Sequence, residues 1–161
     1  MTTTLLSFSQ RLPTEFVPAG EVLLPEGART GLLFILVDGQ VEIRKGDVQI
    51  EIVTEPGALF GEISSLLDTP HMATVKTITP VRVVRISDAT HVLQHNPDLA
   101  LEVARLLAQR LTNVVGYLAD LKRQFEGHSH LGMVDEVLET LVNQQRQIFE
   151  PGSNRGPDPA L

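Results

Sequence analysis

The chain has 161 residues, 42% of them hydrophobic and 20% charged, enough for one packed core and unlike a disordered tail. Its longest apolar run, Leu32 to Val37, is far short of a membrane-spanning helix, and no cationic stretch before an apolar one marks a secretory leader. Zero cysteines exclude disulfide and thiolate chemistry and fit a cytoplasmic protein, while a net charge of -7 repels a phosphate backbone, so neither DNA nor a membrane is an expected partner.

From about residue 14 to 86 the chain is punctuated by Pro18-Ala19-Gly20, Pro25-Glu26-Gly27, Asp38-Gly39, Gly46-Asp47, Pro56-Gly57, Thr69-Pro70 and Thr79-Pro80. Turns every 8 to 12 residues or so, between β-branched runs, predict an all-β sandwich, roll or barrel. Residues 31–37, 40–44, 48–53, 73–78 and 81–86 alternate with period two over most of their length and are the strands that stand out. Between the third and fourth of them, Glu62 to Leu67 suits a short helix. Ser87 is a candidate cap for another through His95, and Asn96-Pro97-Asp98 opens a third with a cap, a proline at its first position and an acid in its first turn.

Nothing breaks that third helix before Gly127, giving about 30 residues and roughly 45 Å. Leu107, Leu111, Val114, Leu118, Leu121 and Phe125 recur along it at alternating steps of four and three. Such a narrow seam suits a helix paired with a copy of itself, and the alternative is cover by residues 131–149 of the same chain. Gly116 interrupts the helix and would be explained by a close crossing. Beyond the linker Gly127-His128-Ser129-His130, apolar residues from Met133 to Ile148 recur at helical spacing, and residues 150–161 are too polar and proline-rich to pack. The chain thus divides into 1–126 with the pairing helix 97–126, a C-terminal helix within 127–149 and a disordered tail at 150–161.

The chemistry concentrates in residues 56–75. Gly61 permits a close backbone approach, and the first amides of the helix at 62–67 suit an anion. Glu62 beside them is placed for a sugar hydroxyl while the amides of Ile63 and Ser64 face a phosphate, which is two-part recognition of a nucleotide. Taken alone, Glu62 is also an ordinary first-turn carboxylate.

Three segments in order, Phe16-Val-Pro-Ala-Gly-Glu-Val-Leu-Leu-Pro-Glu-Gly27, Leu33-Phe-Ile-Leu-Val-Asp-Gly-Gln-Val-Glu-Ile43 and Phe60-Gly-Glu-Ile-Ser-Ser-Leu-Leu67, resemble the cyclic nucleotide-binding domains of kinase regulatory subunits, gated channels and bacterial catabolite regulators. The resemblance spans about residues 10–125. It implies a mainly β fold with helices: an eight-stranded, jelly-roll-like β-roll, a phosphate-binding cassette at 60–74, and a long C-terminal helix that caps the pocket and pairs with a second copy. It also implies that Gly61, Glu62, Ile63, Ser64, His71, Met72 and Ala73 line the phosphate and ribose site. After Thr69-Pro70 the family normally has an arginine for the cyclic phosphate, and here stands His71. Neutral histidine offers one donor in place of a permanent fork, weakening binding by about ten- to a hundredfold and making pH near 6 the favourable condition. Met72 replaces a small or hydroxyl residue, so cAMP is expected ahead of cGMP. Base-facing positions fall near Thr112, Asn113 and Val114.

Other chemistries lack their signatures. His91 and His95, and His128 and His130, have no evident third metal ligand, and the His-x-His of a cupin, a nucleophile elbow and a P-loop are all missing. No catalytic residue, metal or cofactor is expected. The regulators that the chain resembles continue into a DNA-reading helix-turn-helix, whereas the helix at 131–149 presents Asp135, Glu136, Glu139, Gln144 and Gln145, a poor groove reader. Two functions lead: a homodimeric cyclic-nucleotide sensor, leaning to cAMP, that acts on an effector protein; or a degenerate domain, its ligand lost through His71, that acts by dimerisation or protein contact; a third, an altered ligand such as a cyclic dinucleotide, draws only on the same substitution.

Overall fold

The computed structural model describes residues 2–125 and 132–143. Helix α1 (Thr2–Ser9) is followed by strands β1 (Glu15–Val17), β2 (Val22–Leu24), β3 (Leu33–Asp38), β4 (Val41–Lys45), β5 (Val48–Val53) and β6 (Leu59–Phe60). Helix α2 (Glu62–Leu67) leads into β7 (Thr74–Thr77) and β8 (Val81–Ile86). Helices α3 (Ala89–His95), α4 (Pro97–Gln124) and α5 (Gly132–Asn143) complete the order. The described residues fall into two compact units, divided between Leu106 and Leu107 inside α4.

The first unit is the eight-stranded roll that the sequence leads one to expect. Two antiparallel four-stranded sheets run β1-β8-β3-β6 and β2-β7-β4-β5. Alternation sets their inner faces: Phe34 and Leu36 of β3, Val81 and Val83 of β8, Val41 of β4, Val75 of β7 and Leu24 of β2 share one core. Each such side chain contributes about 1.5–3 kcal/mol on burial. Leu33 and Ile35 point the other way and are just as buried, because α1 packs over β3 from outside with its own Leu5 buried. That is why residues 32–37 read as an unbroken apolar run.

Polar ties close the ends of the roll. The buried Thr77 hydroxyl donates to the Pro18 carbonyl at 2.7 Å and accepts from the Glu21 amide at 2.9 Å, pinning the β1–β2 turn to β7. Helix α3 is capped by Asp88, whose side chain accepts from the His91 amide, and not by Ser87; the carboxylate one residue later makes the cap.

In the second unit, Lys122 of α4 pairs with Asp135 of α5. Of the seam expected on α4, Leu111, Val114 and Phe125 are exposed, and Leu107, Leu118 and Leu121 are half-buried. A Cβ added at Gly116 would meet nothing within 4 Å, so among the described residues no element crosses closely there. Helix α5 falls within the expected 131–149; residues 144–149, the linker histidines and the tail 150–161 lie outside the described residues.

The β3–β4 hairpin reverses in two residues, Gly39 and Gln40. Gly39 has φ +102°, and a Cβ there would lie 2.6 Å from the Pro80 carbonyl oxygen and 2.9 Å from the Val81 Cα. Backbone cannot yield as a flexible side chain does, so Gly39→Ala is expected to lower stability by about 2–3 kcal/mol, read as a shifted midpoint in urea unfolding.

Candidate functional site

The cassette is built around one left-handed glycine. Strand β6, paired to β3 through Phe34–Phe60 and Ile35–Leu59, delivers the chain to Gly61 at φ +93°. A Cβ there would lie 2.2 Å from the Leu32 carbonyl oxygen, so the position admits no side chain. The reversal starts α2 at once and places Glu62 in its first turn, where a carboxylate suits the helix dipole. Glu62 is only 3% exposed, an unusual burial for a carboxylate and a first sign of a built site. Ile63 is exposed and Ser64 half-buried. The hydroxyls of Ser64 and Ser65 both donate to the Gly61 carbonyl, at 3.3 and 2.9 Å.

Helix α2 ends in a second left-handed residue, Asp68, at φ 50°. The Arg29 guanidinium donates to the Asp68 carbonyl at 2.6 Å and to its carboxylate at 3.3 Å, a cation at a helix C-terminus. The chain then returns along the β2–β3 loop: the His71 amide donates to the Ala28 carbonyl at 2.9 Å, and the Gly27 amide donates to the His71 carbonyl at 2.8 Å. Beyond it Met72 is exposed and its carbonyl accepts from Lys45 Nζ at 2.7 Å, while Ala73 is half-buried and leads into β7. Lys45 also pairs with Glu26 at 3.0 Å. The Glu26 carboxyl is held below its usual range by the Gly46 amide and by Lys45.

His71 is not presented as a free donor. Its side chain is buried, with Nδ1 2.9 Å from Ser64 Oγ and Nε2 2.7 Å from Thr30 Oγ1. Thr30 Oγ1 in turn accepts from the Leu32 amide at 3.2 Å. Burial pushes the imidazole below its ordinary pKa of 6.5, so the ring stays neutral further into acid than a solvated histidine. The expectation of an imidazolium facing a phosphate near pH 6 therefore meets a ring whose two nitrogens are already engaged and whose charged form is disfavoured.

Gly61, Glu62, Ile63, Ser64, His71, Met72 and Ala73 thus lie on one continuous cassette, α2 and the return to β7, with Ser64 and His71 joined directly. Thr112, Asn113 and Val114 belong to the second unit. There the Thr112 hydroxyl donates to the Ala108 carbonyl at 2.9 Å, Asn113 Oδ1 accepts from Gln109 at 3.0 Å, and Val114 is exposed. The His91 and His95 rings stack at 4.1 Å, and His95 Nδ1 donates to the His91 carbonyl. Among the described residues no three His, Cys, Asp or Glu side chains converge as metal ligands, and no helix is long and apolar enough to cross a membrane. Arg29, Thr30 and Lys45 escape the sequence reading because their partners lie 27 to 41 positions away, with no periodicity linking them.

The chain is similar to known proteins in sequence and in fold. Residues 14–91 match the family model of the cyclic nucleotide-binding domain. Over 118 residues the chain is 31% identical to a CRP-like cAMP-activated global transcriptional regulator of Mycobacterium tuberculosis, covering 70% of this chain and 52% of that protein, so the chain spans about half of that relative. It is 36% identical over 70 residues to a cAMP-dependent protein kinase regulatory subunit of Aspergillus fumigatus, 43% of this chain and 17% of that one. A structure solved in work on a cyclic-GMP-dependent pathway regulating bacterial phytopathogenesis superposes with a TM-score of 0.59 and 27% identity, covering 70% of this chain and 95% of that one. In sequence and in fold, this chain belongs to the cyclic nucleotide-binding domain family through its residues 14–91.

Proposed function

We propose that this chain is a cytoplasmic, non-enzymatic sensor that binds a cyclic nucleotide, acts as a homodimer through α4, and reports its ligand state to an effector protein. The observation that carries the ligand is Glu62, a carboxylate 3% exposed, set beside a glycine that admits no side chain. Such a carboxylate accepts from a ribose hydroxyl, and the first amides of α2, at Ile63 and Ser64, complement a phosphate. Arg29 and Lys45, bonded to the carbonyls of Asp68 and Met72, add positive potential to a cassette that lacks an arginine of its own. Met72 has no hydroxyl to offer a guanine, which favours cAMP. The regulator and kinase-subunit relatives are named for cAMP, and binding, not chemistry, is what these residues are suited to.

One observation favours the second reading, a domain that keeps the fold without the ligand. With Ser64 on Nδ1 and Thr30 on Nε2, His71 has no spare donor for a phosphate, so an anion must be held by backbone amides and neighbouring cations alone.

Calorimetric titration at pH 7.5 with cAMP and cGMP separates the two. The sensor is expected to bind cAMP in the micromolar range, and Glu62→Gln to weaken it about ten- to a hundredfold through loss of a charged acceptor. No heat at millimolar ligand would leave the second reading standing.

The buried ring makes a separate prediction. Unfolded, His71 takes up a proton as pH falls through about 6.5; folded, it resists, so protonation favours the unfolded chain. Stability is therefore full above that pH and declines as pH falls from it toward the lower folded value. The melting temperature of the wild type should drop between pH 7.5 and 5.5, and His71→Asn, which keeps a donor and an acceptor but does not titrate, should flatten that slope.

The dimer is tested by sedimentation equilibrium of the full chain. Gly116→Ala adds about 0.5–1 kcal/mol to an isolated helix, so a monomer gains stability from it. A dimer whose helices cross closely at Gly116 instead dissociates at higher concentration than the wild type.

A further inference from the structure

An engaged ring leaves an anion to amides and neighbouring cations unless the bonds it belongs to end in a donor of their own. Two tautomers of neutral His71 fit its neighbours, and they differ in how many donors find a partner. With the proton on Nδ1, the ring donates to Ser64 Oγ at 2.9 Å, and Nε2 accepts from the Thr30 hydroxyl at 2.7 Å. Thr30 Oγ1 keeps a lone pair for the Leu32 amide at 3.2 Å, and the Ser64 proton goes on to the Gly61 carbonyl at 3.3 Å. Every donor in this relay is used, and all of them point one way, from Leu32 to Gly61. With the proton on Nε2 instead, Thr30 Oγ1 accepts from both the ring and the Leu32 amide, and its own hydroxyl proton has no acceptor among the described residues. An unmade bond is costly beside a buried ring, so the half-buried Thr30 selects the Nδ1–H form.

The last bond of the relay is its weakest. The Gly61 carbonyl already accepts from the Ser65 amide at 3.2 Å and from the Ser65 hydroxyl at 2.9 Å. A carbonyl oxygen has two lone pairs, so the Ser64 proton, at 3.3 Å, is surplus to it. Accepting from the ring polarises the Ser64 hydroxyl and makes it a better donor. That hydroxyl belongs to the residue whose amide complements a phosphate in the function proposed above, and Ser64 is half-buried, neither sealed in the core nor on open surface. An anion set against the amide takes the Ser64 proton at the loss of one long, shared bond.

We propose that the Ser64 hydroxyl is the side-chain donor to the ligand's anionic oxygen, and that Thr30 and His71 are positioning residues that aim and polarise it. The inference rests on the cyclic-nucleotide reading above and deepens it: a neutral relay stands where an arginine would place a permanent charge. Both ends of the relay are backbone, since it starts at Leu32, whose carbonyl oxygen is pressed against Gly61, and ends on Gly61 itself. The hydroxyl is therefore held in place without a cation. Burial, which holds the imidazole below its ordinary pKa, disfavours a charged ring and leaves this neutral donor intact.

Two measurements on the full chain test it. In a long-range proton–nitrogen correlation spectrum of isotope-labelled protein at pH 7.5, the ring signals that His71→Asn removes are expected to show Nδ1 protonated and Nε2 bare. Thr30→Val, which takes away the donor to Nε2, should move the proton to Nε2, and Thr30→Ser should keep it on Nδ1. In calorimetric titration with cAMP, Ser64→Ala is expected to weaken binding about ten- to a hundredfold, and Ser64→Thr, which keeps the hydroxyl, to retain most of it. Thr30→Val should weaken binding by about three- to tenfold, and Thr30→Ser should stay within about twofold of the wild type. A Thr30 that merely held the fold would lower the melting temperature without moving the proton or the affinity. A wild-type ring protonated on Nε2, or a cAMP affinity unchanged in Ser64→Ala, overturns the relay and leaves cyclic-nucleotide binding standing. Absence of heat at millimolar cAMP in the wild type overturns both.

Discussion

The close approach of Gly61 to the Leu32 carbonyl governs the geometry of the site. A Cβ 2.2 Å from a backbone oxygen has no side-chain relaxation open to it, so the chain can pass here only as glycine and only with positive φ. That conformation ends β6 after two residues and starts α2 without an intervening loop. It thereby fixes which residue of α2 points inward, and that residue is Glu62. The second left-handed residue, Asp68, closes the helix after six residues and sends the chain back along the β2–β3 loop. The cassette is thus a rigid excursion between two strands of different sheets, held at both ends by backbone.

Across that excursion runs a part-buried polar chain, Thr30 to His71 to Ser64, with the imidazole at its buried centre. A neutral imidazole has one donor and one acceptor, and hydroxyls can play either part, so each ring nitrogen has a fitting partner. A fully satisfied network of this kind rigidifies its surroundings, whereas the same ring with one nitrogen unpaired would carry the full cost of desolvation. An arginine at this position would exchange the internal tie for a permanent charge. The histidine does the reverse: it ties the cassette to itself through both ring nitrogens.

Much of this was legible in the sequence because it is local. Strands β4, β5, β7 and β8 show in their alternation, and α4 in its cap, its proline and its length. The cassette shows in the run Phe60-Gly61-Glu62. Strands β1, β2 and β6 have two or three residues each, too few for a period, and only the resemblance supplied them. Helix α1 begins with threonines and signals nothing, although its Leu5 seals the outer face of β3. The helix at 89–95 was expected with a serine cap one residue too early, since Ser87 and Asp88 are both good caps and only geometry chooses. The partners of His71 were illegible for a different reason. Thr30 is 41 residues away, brought close by the fold of the roll and not by any pattern within a segment.

The exposed seam of α4 bears on how the proposed sensor would pass on its ligand state. Leu111, Val114 and Phe125 are 43–48% exposed. Burying the remaining surface of three such side chains from each of two copies is worth about 4–8 kcal/mol. Association costs an estimated 4–15 kcal/mol in lost translational and rotational freedom. In the proposed dimer this places helix pairing near balance and not far to one side of it. A switch needs that condition, because a ligand shifts an equilibrium only by its differential affinity for the two states, and a bias of one or two kcal/mol redistributes a balanced pair while leaving a strongly committed one unchanged.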